Sequence, residues 1–194
     1  MSPDPIPLVD LRAQQEEVAD EVAAGFGAVI ERTAFIGGPD VDAFEQEFAA
    51  FCDAAHCVGV ASGTDAIELM LLGLGIGRGD EVILPANTFI ATAEAVVRAG
   101  AEVVLADCDD EHLLIAPDRV ADLLGPRTRA VIGVDLYGQI APFDELADVL
   151  AARDVALLED AAQSQGALRH GRPIGTGVRA AATSFYPGKN LGAF

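Results

Sequence analysis

Apolar positions divide this chain into two regimes. From Leu11 to Arg32, and again from Val41 to Phe51, they recur at helical spacing, with Val41, Phe44 and Phe48 sharing one face. TAFIGGP (33–39) breaks the two helices, and Asp40 is placed to cap the second. Beyond Cys57 the rhythm changes to short apolar runs alternating with amphipathic segments. CVGVAS (57–62), EVILPA (81–86), EVVLAD (102–107), AVIGVDL (130–136), VALLEDA (155–161) and AAATSFY (180–186) read as strands. TDAIELMLLGL (64–74), FIATAEAVVRA (89–99), PDRVADLL (117–124) and PFDELADVLAAR (142–153) read as helices, the third with proline in its first turn. GIGRGD (75–80) reads as a glycine-rich helix stop.

Strands that are apolar throughout must be covered on both faces. Strand–helix alternation therefore predicts an α/β fold: a three-layer α/β/α arrangement around a mostly parallel sheet. The chain splits into an N-terminal helical segment, 1–56, and the alternating part, 57–194. Ligands of such sheets bind beyond the carboxyl ends of the strands. That rule selects Ser62 to Asp65, Pro85 to Phe89, Asp135 to Gln139, and Glu159 to Gln163, each following a predicted strand.

Composition narrows the function. The 194 residues hold 12 basic and 31 acidic side chains, a net charge of −19, and 51% are apolar. The apolar share suits a packed core rather than an acidic tail. The negative charge argues against nucleic acid and against an anionic membrane as partners. No run approaches the ~18 apolar residues of a membrane span. The opening MSPDPIPLVDL lacks a basic n-region, so no secretory leader is expected. Cys52, Cys57 and Cys108 are odd in number and form no CxxC pair, which fits a reducing cytoplasm. His56, His112 and His170 are scattered, so no metal centre is expected.

Candidate chemistry starts with Lys189, the only lysine in the chain. A lysine is ordinarily a solvated surface charge. Here arginine serves the surface, and Lys189 stands among glycine, proline and aromatic residues in SFYPGKNLG, where an amine can become a Schiff-base nucleophile. Asp160 ends a predicted strand. It is either a turn carboxylate or an acid that holds a cationic ring nitrogen. Ser62-Gly63-Thr64-Asp65 opens a predicted helix, as an ordinary cap or as an anion site. Phe89 is a core aromatic or a stacking surface for a heteroaromatic ring. Gln163 is a loop amide or a donor to a phenolate-like oxygen. The dinucleotide pattern GxGxxG is absent, since GLGIGRG (73–79) follows a helix, which disfavours a plain nucleotide-binding domain. Amine, acid, phosphate cradle and stacking aromatic together are what pyridoxal 5′-phosphate requires.

These residues lie in recognisable runs. IPLVDL, FIGGPDVDAFEQEFAAF, HCVGVASGTDAIELML, GIGRGDEVILPANTFIATAEAV, LYGQIAPFDEL, LEDAAQSQGA and SFYPGKNLGAF together resemble the DegT/DnrJ/EryC1/StrS family of pyridoxal phosphate-dependent sugar aminotransferases. The resemblance runs over essentially the whole chain, in order. It implies the large domain of aminotransferase fold type I, with 57–194 as a partial cofactor-binding domain. The family continues past the lysine motif into the rest of that domain and a small C-terminal domain. This chain is therefore expected to expose a sheet edge and apolar surface, and to associate.

Residue by residue, the resemblance implies that Lys189 bonds the cofactor covalently and that Asp160 pairs with the ring nitrogen. Gln163 approaches the ring 3-oxygen, Gly63, Thr64 and Ser184 hold the phosphate, and Phe89 stacks on the ring. The implied reaction is ping-pong transfer of an amino group from glutamate or glutamine to a nucleotide-linked keto sugar, by a homodimer. ANTFIATAEAV is more similar to members acting at C-3 than at C-4, and Lys189 separates the chain from dehydratases that carry histidine there. The alternatives are a cyclitol aminotransferase, a dehydratase relative, and an inactive fragment or non-catalytic partner subunit. Asp135 stands where the family commonly has histidine before LYGQ, a position expected on the sugar-facing side of the pocket.

Overall fold

The computed structural model describes residues 6–193. Met1–Pro5, the start of the stretch read above for a leader, and Phe194, the end of the lysine motif, lie outside them. Two helices come first, α1 (Leu11–Arg32) and α2 (Pro39–Phe51). There follow α3 (Gly63–Gly73), β1 (Glu81–Pro85), α4 (Ile90–Arg98), β2 (Glu102–Ala106), α5 (Pro117–Leu123), β3 (Thr128–Val134), α6 (Phe143–Leu150), β4 (Ala156–Asp160) and β5 (Ala180–Ala182). All strand pairs are parallel, in the order β2-β1-β3-β4-β5.

The alternation of side chains along each strand builds two cores. Ile83, Val131 and Leu157 point to one face, where they meet Phe48 of α2, Val120 of α5, and Phe143, Leu146 and Leu150 of α6. Val82, Leu84, Ala130, Ile132 and Leu158 point to the other, against Ile67 and Leu71 of α3 and Ala95 and Val96 of α4. The split follows from handedness. β1 to β2 and β2 to β3 cross the sheet in opposite directions, so right-handed crossovers put α4 and α5 on opposite faces. Connections leave the carboxyl ends of β1 and β3 toward opposite layers, which opens a crevice between these neighbouring strands. Close packing under that crevice depends on Gly133, because a Cβ there would come within 2.5 Å of the Phe143 ring.

Three local expectations are corrected. Residues 57–62 join no sheet: the Gly59 N–H is taken by Oε1 of Glu45 on α2, at 2.6 Å, and Val58 and Val60 are exposed. Ser62-Gly63-Thr64-Asp65 therefore does not follow a strand. The last strand stops at Ala182 instead of reaching Tyr186, because the Thr183 hydroxyl bonds the Ala161 carbonyl and the chain then turns toward α2. Finally, Asp40 does not cap α2. Gly38 occupies that position, and Asp40, in the first turn, pairs with Arg32.

Candidate active site

The carboxyl edge of the sheet gathers the expected residues from four connections. At the start of α3, the Ser62 hydroxyl accepts from the Asp65 N–H at 3.1 Å, and the Ser62 carbonyl takes the Ala66 N–H. Among the described residues this leaves the amides of Gly63 and Thr64 without a recorded protein acceptor, at the positive end of the helix. Ser184 is packed directly on this turn. A Cβ added to Gly63 would lie 2.9 Å from the Ser184 Cβ and 3.2 Å from the Thr183 carbonyl. Arg98 of α4 steadies the turn from outside, donating to Asp65 at 2.7 Å and pairing ionically with Glu68 at 2.7 Å.

Asp160 ends β4 between Val134 and Ala182 and is buried. Its Oδ2 accepts from the Thr92 hydroxyl at 2.7 Å and its Oδ1 from the Ala162 N–H at 3.2 Å. Burial pushes this carboxyl up from the ordinary range, while the two donors and the Lys189 charge pull it back. Phe89 is the N-cap residue of α4, one helical turn before Thr92, and as a residue it is 68% exposed, leaving an aromatic surface available. The Gln163 carbonyl oxygen accepts from the Tyr137 N–H at 2.8 Å, which leaves the amide N–H groups for another acceptor.

Lys189 is held by its loop. Its N–H closes a turn onto the Tyr186 carbonyl at 2.8 Å, and Asn190 Nδ2 bonds the Gln165 carbonyl at 3.2 Å. Gln165 Nε2 in turn donates to the Thr183 hydroxyl at 2.7 Å and the Ser184 carbonyl at 2.9 Å. Phe185 pins the segment to α2, packing edge-on against Phe44 and Phe48 with centroids 5.2 and 5.3 Å away. Phe44, Phe48, Phe51, Gln165 and Lys189 line an open groove of about 730 Å³.

Asp135 departs from expectation. It is fully buried and turned away from the crevice, accepting from the Ala141 N–H at 2.9 Å and the Ser164 hydroxyl at 2.6 Å. Its carboxyl meets that of Glu159, which takes the Gly175 N–H at 2.6 Å. The position thus belongs to the core beneath the site, not to a substrate-facing wall. Thr88, Thr92, Gln165 and Phe185 escaped the sequence reading. The i, i+4 threonines of NTFIAT, at the start of a helix that follows a buried strand, were the available signal for the first two.

The residues fit pyridoxal phosphate. The Gly63–Ser184 contact leaves a cradle that a Cβ would fill, and Asp160 keeps acceptor capacity beyond its two bonds. A parallel five-stranded sheet between helices fits the mostly parallel large-domain sheet of fold type I aminotransferases, of which the chain covers about half. The model of the DegT/DnrJ/EryC1/StrS aminotransferase family matches residues 16–194, and the chain belongs to that family. The dTDP-3-amino-3,4,6-trideoxy-alpha-D-glucose transaminase of Streptomyces venezuelae is 46% identical over 189 residues, 97% of this chain and 50% of the relative. The crystal structure of S. venezuelae DesV in complex with a ketimine intermediate matches with TM-score 0.94 and 45% identity, over 97% of this chain and 51% of that one. NtdA of Bacillus subtilis with bound cofactor PMP matches with TM-score 0.92 and 27% identity, over 100% of this chain and 44% of that one. The chain spans about half the length of these relatives. Among the described residues, no helix is long and apolar enough to cross a membrane.

Proposed function

We propose that this chain is the cofactor-binding part of a pyridoxal phosphate-dependent aminotransferase acting on a nucleotide-linked keto sugar. One observation carries the reading: the buried Asp160 ends β4 with an acceptor place left on each carboxylate oxygen, on the same edge of the sheet as the tight Gly63–Ser184 contact. When bound, the cofactor supplies an electron sink in its protonated ring. Asp160 holds the ring nitrogen in its protonated form. The Gly63 and Thr64 amides and the Ser184 hydroxyl hold the phosphate. Phe89 presents its ring to the cofactor's face, and Gln163 donates to the 3-oxygen. Lys189 Nζ would anchor the cofactor, and its amine would be the group that holds or moves a proton there.

Glutamate or glutamine as donor and C-3 as the aminated carbon belong to this reading, as do a homodimer and a cytoplasmic location. The 3-amino product in the name of the S. venezuelae relative supports C-3. The same reading takes residues 57–194 as part of a large domain preceded by the helical segment 1–56.

The test is covalent trapping. The chain is mixed with pyridoxal phosphate, reduced with borohydride and mapped by mass spectrometry. Stoichiometric label on Lys189 is expected, with the N-terminal amine as internal control. Label absent from Lys189, or equal on the two amines, would overturn cofactor binding by this chain and favour a non-catalytic fragment or partner subunit.

A further inference from the structure

Thr92 is an unusual helix residue. It sits in the first turn of α4 and is completely buried, yet its hydroxyl is not spent on its own helix. A threonine in that place ordinarily bonds a carbonyl of the preceding turn or faces water. Here Oγ1 reaches across to Oδ2 of Asp160 at 2.7 Å. A second hydroxyl, from Thr88, lies 2.8 Å behind it. A carboxylate only accepts, so the Thr92 proton goes to Asp160, and the Thr88 proton must then go to Thr92. The direction of the chain is fixed: Thr88 donates to Thr92, and Thr92 donates to Asp160. Bonds in such a chain polarise one another, most strongly where water is excluded.

We propose that Thr92, backed by Thr88, is a positioning residue that clamps the Asp160 carboxylate in its ionised form and in one orientation, so that it receives the ring nitrogen of the cofactor. The inference rests on the role of Asp160 in the proposed function and goes beyond it by naming what holds that acid in place. Burial alone drives a carboxyl toward its neutral form. A neutral Asp160 could not hold a protonated nitrogen. Thr92 supplies the shorter of the two hydrogen bonds that oppose burial, the other being the Ala162 N–H at 3.2 Å. Each carboxylate oxygen then has one acceptor place filled and one left. The α4 N-terminus works in the same sense, since its positive end favours a carboxylate. Thr92 itself touches no reacting atom; it acts through Asp160.

Valine has the shape of threonine without the hydroxyl, and serine keeps the hydroxyl, so T92V and T92S separate the bond from the packing. Two readouts on the full chain decide. In the first, made without cofactor, the Asp160 carboxyl carbon is followed by NMR against pH, with D160N for assignment. T92V should raise the midpoint and T92S should return it. In the second, binding of pyridoxal phosphate is compared with that of its 1-deaza analogue, in which carbon replaces the ring nitrogen. T92V should weaken pyridoxal phosphate about tenfold, the scale of one hydrogen bond to a charged group, and leave the analogue unchanged. T92S should stay near the unsubstituted chain, and T88V should fall between.

An unmoved Asp160 midpoint in T92V, or equal weakening of both ligands, would overturn the inference, because a merely structural role affects both ligands alike. If T92V fails to fold, T88V carries the same comparison. Equal binding of the two ligands by the unsubstituted chain would overturn the assigned role of Asp160. The titration would then still decide whether Thr92 holds the carboxylate.

Discussion

Gly63 touches Ser184 so closely that there is no room for a side chain between them: a Cβ on Gly63 would stand 2.9 Å from the Ser184 Cβ. Two segments far apart in sequence thereby meet at the turn proposed to hold the phosphate. The first turn of α3 brings the Gly63 and Thr64 amides, and the stretch after β5 brings the Ser184 hydroxyl. Neither Ser184 nor the Thr183 carbonyl is the end of a flexible side chain, so neither can yield cheaply.

Gly63→Ala should therefore push α3 off the stretch that follows β5. The expected outcome is a loss of about 1–3 kcal/mol in stability, the usual cost of overpacking. Affinity for pyridoxal phosphate should fall more than affinity for pyridoxal, which lacks the phosphate. Urea unfolding and the two binding titrations check this. Equal losses for both ligands would mean that the turn does not hold the phosphate.

Phe185 should be the residue that couples α2 to the lysine loop. Its ring meets Phe44 and Phe48 edge-on, and no other aromatic side chain of the loop is recorded in that stack among the described residues. Phe185→Ala should cost about 2–4 kcal/mol, toward the lower part of the range for deleting a large core aromatic because Phe185 is only half-buried. It should also lower the yield of borohydride-trapped Lys189, whereas Phe185→Leu should recover most of both. Chemical denaturation and peptide mapping read the two effects.

Arg127 offers a contrast. It bridges Glu81 at 2.5 Å and Glu102 at 2.9 Å, at the amino ends of β1 and β2, opposite the site. The arginine is half-exposed, so the pair is screened by water. Arg127→Ala should cost no more than about 1 kcal/mol and leave cofactor affinity unchanged. A large loss in a melt at low and high salt would show that these charges hold the edge of the sheet together.

Most of this architecture was legible because burial on both faces makes parallel strands apolar throughout. EVILP and ALLED announce themselves wherever they stand. CVGVAS misleads for the same reason: its composition is that of a strand, but pairing is a tertiary property, and Glu45 takes the Gly59 amide first. The residues expected to face the cofactor could be named because their motifs, ambiguous one by one, together resemble a single family. Phe185 could not, since nothing in a lone Phe tells which partner the fold will bring, and the i, i+4 threonines of NTFIAT signal a pair without naming Asp160 as its partner. Asp135 was misjudged because a polar residue at a strand's carboxyl end ordinarily faces the crevice. Here the Ser164 hydroxyl and the Ala141 amide draw it inward.

That inward turn leaves two acids side by side, and pH should reveal them. Burial, and next the charge of Asp135, push the Glu159 carboxyl up to about 9, and burial raises Asp135 as well. Glu159 Oε2 already accepts from Gly175, while Oε1 is buried with no acceptor-type bond. The proton therefore belongs on Oε1, donated toward Asp135, so the pair folds with one proton between them. A folded pKa above the unfolded value of 4.5 means that the full stability is present below about 4.5. That contribution is lost as pH rises toward 9, at about 1.4 kcal/mol per pH unit for each proton taken up on folding. Glu159→Gln places an N–H where the proton was and keeps an acceptor for Gly175. It should be the more stable protein at pH 8, with a flatter dependence between pH 5 and 9, while Glu159→Ala should be weaker throughout. Denaturant midpoints at pH 5, 7 and 9 decide it. Parallel slopes for Glu159→Gln and the unsubstituted chain would mean that the pair carries no shared proton.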